Sequence, residues 1–235
     1  IPHSMIDGEA KCAELLVNGF KLDNLVLNIS HSNGVSNIKH MSAALYGGAI
    51  LGNALVDFAS KDMPYRVNAE IKGVRIEELK RETAFKDYDI SGIIQARFGM
   101  KGSSGDLSGL SAWGKLNITK GKLWQLNLFR GIGTLLFRSD YRSVLFEEVS
   151  CDFSVKDKCF STSDLAISSS LLNLYGTVNI TFDKVIKAYL KAEFTDEGID
   201  AARMSDMAGA IERYSMIEIK GPLSDPQYKL RPDLS

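Results

Sequence analysis

"LLNLYGTVNITFDKVIKAYLKAEF", residues 171–194, decides the fold. Leu172, Leu174, Gly176, Val178, Ile180 and Phe182 share one parity, while Asn173, Tyr175, Thr177, Asn179, Thr181 and Asp183 share the other. In the following segment Ile186, Ala188, Leu190, Ala192 and Phe194 alternate with Lys187, Tyr189, Lys191 and Glu193. Successive side chains of an extended strand point to opposite faces, so these segments read as strands with one apolar and one wet face. Such a face packs as ordinary core on a second layer, or it lines a groove for an apolar ligand. The alternation is the same in both cases.

The period of two runs outward in both directions, in segments spaced by about 10–13 residues and punctuated by Gly, Asn and Asp, the mark of an antiparallel sheet or barrel. Leu25, Leu27 and Ile29 alternate with Asn24, Asn28 and Ser30, and "SNGV" (32–35) carries an Asn-Gly turn. Met41 to Tyr46 leads through "GG" (47–48) into "AILGNALVDF" (49–58), and Val67, Ala69 and Ile71 share a face in "PYRVNAEIKGV" (64–74). "RIEELKRETAF" (75–85) is rich in helix formers and predicts a short helix. A strand over 107–119, a turn at Lys120-Gly121 and a helix over 125–138 follow. Four further strands lead to a second helical segment, "EGIDAARMSDMAGAIER" (197–213), and to a closing strand in "SMIEIKGPLSDPQYKLRPDL". No linker interrupts the pattern, so 1–235 reads as one domain, with preceding strand repeats over 1–106 and a C-terminal region over 107–235.

The chain has 235 residues, 45% of them hydrophobic and 24% charged, which suffices for a real core. A net charge of −1 argues against a protein built to grip nucleic acid by neutralising phosphates, and no run of like charge suggests a polybasic membrane anchor. No apolar run reaches the roughly 18 residues of a membrane-spanning helix. No signal peptide is present, and the chain opens inside a strand-like pattern, so it reads as a piece of a longer protein. Three cysteines leave no complete disulfide framework. A turn at Lys156-Asp157-Lys158 pairs Cys151 with a residue beyond Cys159, so all three are expected free and mostly packed.

Nothing marks a catalytic centre. His3, His31 and His40 lack partners at metal spacing. "GSSGDLSG" (102–109) lacks the Lys-Ser/Thr ending of a phosphate loop and reads as a hairpin loop. The adjacent Glu147 and Glu148 are not a pair held across a cleft. An enzyme is not expected, and neither a cofactor nor a metal.

Several stretches, taken in order, resemble the C-terminal region of bacterial AsmA-like envelope proteins. "SAWGKLNITKGKLWQLNLFRGIGTLLF" (111–137) is similar to that family's strand, Gly-Lys turn and amphipathic helix, and residues 146–194 are similar to its next strands. "IEIKGPLSDPQYKLRPD" (217–233) resembles its closing strand. Upstream, "LYGG" (45–48) matches a tyrosine-glycine turn, and "IKGVRIEELKRE" (71–82) matches a strand leading into a short helix. Lys158 stands for the usual turn glycine, Pro222 for a threonine after Gly221, and Ala112 for a frequent glycine.

The resemblance implies a mainly β fold: a curled antiparallel sheet, a taco-like half-pipe with an apolar inner face and two or three short helices. It implies a non-enzymatic periplasmic module that binds or conducts lipid acyl chains for phospholipid transport and outer-membrane assembly. The parent would be anchored to the inner membrane by an N-terminal helix, akin to bridge-like lipid transfer proteins. The expected partners are phospholipid or another lipid, and outer-membrane assembly proteins, but not nucleic acid. The expected groove lining is Leu172, Leu174, Val178, Ile180, Ile186, Leu190 and Phe194. Trp124, Leu126, Phe129, Ile132 and Leu136 are expected on a helix that either plugs the half-pipe or acts as its lid. The alternative is a structural or protein-interaction module that works through an exposed sheet edge without binding lipid.

Overall fold

A computed structural model of the chain describes residues 5–17, 19–83, 86–87, 89–104, 106–122, 132, 146–198 and 216–232. Thirteen strands form a single sheet whose spatial order is their order in the chain. They are β1 (Ile6–Val17), β2 (Phe20–Ser32), β3 (Val35–Leu45), β4 (Gly48–Asp57), β5 (Pro64–Arg75), β6 (Ser91–Ser103) and β7 (Asp106–Lys122). There follow β8 (Phe146–Lys156), β9 (Cys159–Ser169), β10 (Leu172–Thr181), β11 (Val185–Phe194), β12 (Met216–Pro222) and β13 (Gln227–Arg231). The pairings within β1–β6 and within β9–β13 are antiparallel, and among the described residues β1 and β13 have one neighbour each, so the sheet is not closed into a barrel. The expected mainly antiparallel β fold is what the chain adopts.

Short turns set this meander. Asn33 and Gly34, with φ of +52° and +78°, join Ser32 to Val35 in the left-handed two-residue turn that matches the twist of a hairpin. Tyr46 and Gly47 do the same between Leu45 and Gly48. Asp157 and Lys158 do it between β8 and β9. β-Bulges shift the register in β2, β3, β5 and β9, and each adds local twist. Gly176 lies across from the β9 bulge at φ +157°, where a Cβ would lie 2.0 Å from the Tyr189 carbonyl oxygen.

After β5 the chain forms the short helix α1 (Ile76–Leu79) and a 3-10 turn (Lys80–Glu82), within the helical segment expected at 75–85. The expected turn at Lys120-Gly121 is not one: β7 continues to Lys122. Lys120 takes a left-handed φ of +53° within the strand, so the irregularity expected of a turn is absorbed without a chain reversal. Of the helix expected over 125–138, Ile132 is described and is helical. Of the segment 197–213, residues 197–198 are described and are helical. The rest of both lies outside the described residues.

The chain forms two compact units. The first comprises residues 1–87, 93–116 and 154–158, and the second 88–92, 117–153 and 159–235.

Candidate functional site

In the first unit the strand registers stack apolar side chains in rows that cross the strands. One row runs Leu27, Met41, Gly52, Ala69 and Phe98 from β2 to β6; the next runs Ile29, Ile38, Ala54, Val67 and Met100. A third joins Ala43, Ile50, Ile71 and Ala96. The opposite face carries Asn53, Asn68, Glu70, Lys72, Arg97 and Lys101, with ion pairs from Glu70 to Arg97 and Lys72. An alternation of this kind normally buries its apolar side under a second layer. Here most members of these rows are only half-buried, with Ala43 and Ala69 the buried ones.

The rows also have relief. Gly52 and Ala69 lie side by side between Met41 and Phe98, so the surface dips where β4 meets β5. Gly52 is required there, because a Cβ would stand 2.4 Å from the Asn68 carbonyl oxygen. At one end the face becomes polar. His31, Ser36, Val56, Tyr65 and Gly102 form the next row, with His31 Nδ1 and Ser36 Oγ hydrogen-bonded at 2.8 Å. The result is a wide apolar surface, partly wet, with hydrogen-bonding groups along one margin.

The second unit uses the same pattern differently. The register pairs Leu172 with Phe194, Leu174 with Ala192, Gly176 with Leu190, Val178 with Ala188 and Ile180 with Ile186, so the seven residues expected to line a groove share one face. Leu172 and Leu174 are 0% exposed, and Val178, Ile186 and Leu190 are also buried; Ile180 and Phe194 are half-buried. Ile217 and Ile219 of β12 and Phe146 of β8 are buried in the same unit. Of the five residues expected on the helical plug or lid, Ile132 is helical and 1% exposed. Trp124, Leu126, Phe129 and Leu136 lie outside the described residues.

The polar face of the second unit is built around a buried carboxylate. Glu218 accepts hydrogen bonds from Lys220, from Arg231 Nε at 2.7 Å and from the Tyr189 hydroxyl at 3.3 Å. Lys220 first and Arg231 second hold its pKa down at about 2. The ammonium groups of Lys187 and Lys220 stand 5.6 and 5.7 Å from the centre of the Tyr189 ring.

Burial, with the Asp164 carboxylate second, pushes the Cys151 thiol up, which keeps it neutral rather than a ready thiolate. Cys12 is exposed on β1, Cys151 is buried and Cys159 lies between. Among the described residues no group of three or more His, Cys, Asp or Glu side chains is placed to hold a metal ion. No helix among them is long and apolar enough to cross a membrane.

The half-exposed face of β2–β6 is the surface that sequence reasoning missed. Its alternation was visible in Leu25–Ile29 and in Val67–Ile71, but its degree of exposure was not. What fold and site define together is an open antiparallel meander that presents a broad apolar face. The chain belongs to the AsmA family, whose family model matches residues 6–162, more than half of its length. No curated protein and no solved structure matches it. The matched span includes all of β1–β8 and ends within β9, and the family places the chain in the context of envelope assembly and lipid transport.

Proposed function

We infer that this chain is a non-enzymatic, periplasmic module that holds or conducts lipid acyl chains, serving phospholipid transport and outer-membrane assembly. The observation that carries this reading is the apolar face of β2–β6, continuous across five strands yet only half-buried. Each methylene kept from water there is worth about 0.8 kcal/mol, so a track of this kind lowers the cost of moving an acyl chain through an aqueous space. The polar row at His31, Ser36 and Tyr65 would meet the ester or headgroup end. In the second unit, Ile180 and Phe194 are assigned as the reachable part of the lining. Leu172, Leu174, Val178, Ile186 and Leu190 serve there as core and take part only when their cover is displaced.

The test is lipid analysis of the purified chain by mass spectrometry together with uptake of a fluorescent phospholipid. Ile50→Asp and Val67→Asp should cut uptake by about tenfold or more while the protein keeps a cooperative melt. A chain that carries no lipid and takes up none overturns the reading.

A second reading, an interaction module, is favoured by β1. Among the described residues this strand of twelve residues pairs with β2 alone and is exposed along its whole length, and its outer backbone edge suits strand addition. A lipid-free protein whose partner binding is abolished by prolines along β1 would favour that reading over the first.

A further inference from the structure

We propose that the polar face of β10–β13, with the adjoining hairpin tip, docks the protein onto an anionic lipid bilayer. Three rows cross these strands on the side opposite the apolar core. They are Tyr175, Lys191, Met216 and Arg231; Thr177, Tyr189, Glu218 and Lys229; and Asn179, Lys187, Lys220 and Gln227. Five cations stand there against the single carboxylate of Glu218, a net charge of +4 on twelve residues of a chain whose total is −1. Glu193, just beyond the rows, pairs with Lys191. Glu218 acts as an anchor for cations rather than as a surface anion: it is 5% exposed and fixes Lys220 and Arg231, whose side chains stay about half exposed.

Beyond the row of Lys187 and Lys220 the face turns apolar. Val185, 44% exposed, pairs with the exposed Pro222, and Phe182, 41% exposed, sits in the β10–β11 turn beside them. The Leu223 N–H donates to the Lys184 carbonyl at 2.8 Å, which holds the β12–β13 turn against this tip. Asp183 and Asp225 also lie in these turns and are offset in part by Lys184. Exposed apolar groups at a tip, backed by two lysines whose ammonium groups stand over the Tyr189 ring, suit the boundary between acyl chains and phosphates. A soluble polyanion would engage the lysines but leave Phe182, Val185 and Pro222 in water, and this favours a bilayer as the occupant.

This inference is independent of lipid uptake by β2–β6, and the two can fail separately. The experiment is flotation of the whole chain with vesicles of phosphatidylcholine alone and of phosphatidylcholine mixed with phosphatidylglycerol, at low and high salt. Binding to the anionic vesicles alone, weakened by salt, is expected. Each lysine near an anionic surface contributes about fivefold in partitioning, so the double variant Lys187→Glu/Lys229→Glu should lose at least about 25-fold. Lys61→Glu/Lys101→Glu, an equal charge change in the first unit, should change it less than about threefold. Val185→Ser should weaken binding without changing its salt dependence. If the double reversal loses its cooperative melt, Lys187→Gln/Lys229→Gln takes its place and is read the same way. Equal binding to neutral vesicles, an unchanged partition for the double variant, or stronger binding to polyglutamate than to vesicles overturns the proposal.

Discussion

Lys158 holds a φ of +58° in the two-residue turn between β8 and β9. Left-handed backbone costs an ordinary side chain roughly 1–2 kcal/mol, and glycine avoids most of that. The resemblance to the AsmA family marks this position as a departure from a turn glycine, and the left-handed backbone supplies the reason that a glycine suits it. Lys158→Gly should therefore raise stability by about 0.5–1 kcal/mol, read as a higher urea midpoint at unchanged slope. Glu218 is the opposite case, since its partners Tyr189, Lys220 and Arg231 come from three strands and no spacing along the chain announces them. Its folded pKa of about 2 lies below the ordinary carboxylate value of 4.5. A depressed acid stabilises the fold above its unfolded pKa and loses that contribution as protons bind the folded form. Stability from this group is thus complete above about pH 4.5 and disappears toward pH 2. Glu218→Gln should lower the urea midpoint at pH 7 and flatten its dependence on pH between 4.5 and 2; a midpoint profile parallel to the wild type would contradict this.

At the scale of elements, one alternating pattern yields two kinds of surface. Leu174 and Ile71 each stand on the apolar face of their own strand, yet Leu174 is 0% exposed and Ile71 only half-buried. Removing the Leu174 side chain leaves a cavity, so Leu174→Ala should cost about 2–5 kcal/mol. Ile71→Ala removes surface that is already partly wet and should cost no more than about 1–2 kcal/mol. Chemical denaturation of the two variants tests whether β2–β6 present a face rather than a core. Period-two alternation and turns such as Asn33-Gly34 made the strands and their order legible. Strand–turn ambiguity hid the course of β7, because Lys120, at positive φ, lies inside a continuous strand where a Lys-Gly pair reads as a turn. Exposure was not legible at all, because it depends on what lies across from a strand and not on the strand's own residues.

For the molecule as a whole, charge shows how much a fold adds to a sequence. No run of like charge occurs, yet Lys187 and Lys191, four residues apart on β11, share a face with Lys220 of β12 and with Lys229 and Arg231 of β13. A basic face therefore arises from a chain with 28 Lys and Arg against 29 Asp and Glu. Cross-strand register assembles such a patch, and a linear scan for runs passes over it. The same holds for the apolar rows of β2–β6, whose members are scattered over the first hundred residues and become neighbours only through pairing.

Strand order that equals chain order also bears on how the protein forms. Large β proteins fold slowly when distant segments must find each other before any contact is rewarded. Here each strand from β2 to β12 hydrogen-bonds the one made just before it and the one made just after it. The sheet can therefore grow like a zip, each new hairpin docking on an edge already in place and needing only a local search. Such a chain can become native from its N-terminal end while the remainder is still being delivered. Its growing edge is covered by the next strand as soon as that strand arrives, which shortens the time in which another chain could pair with it.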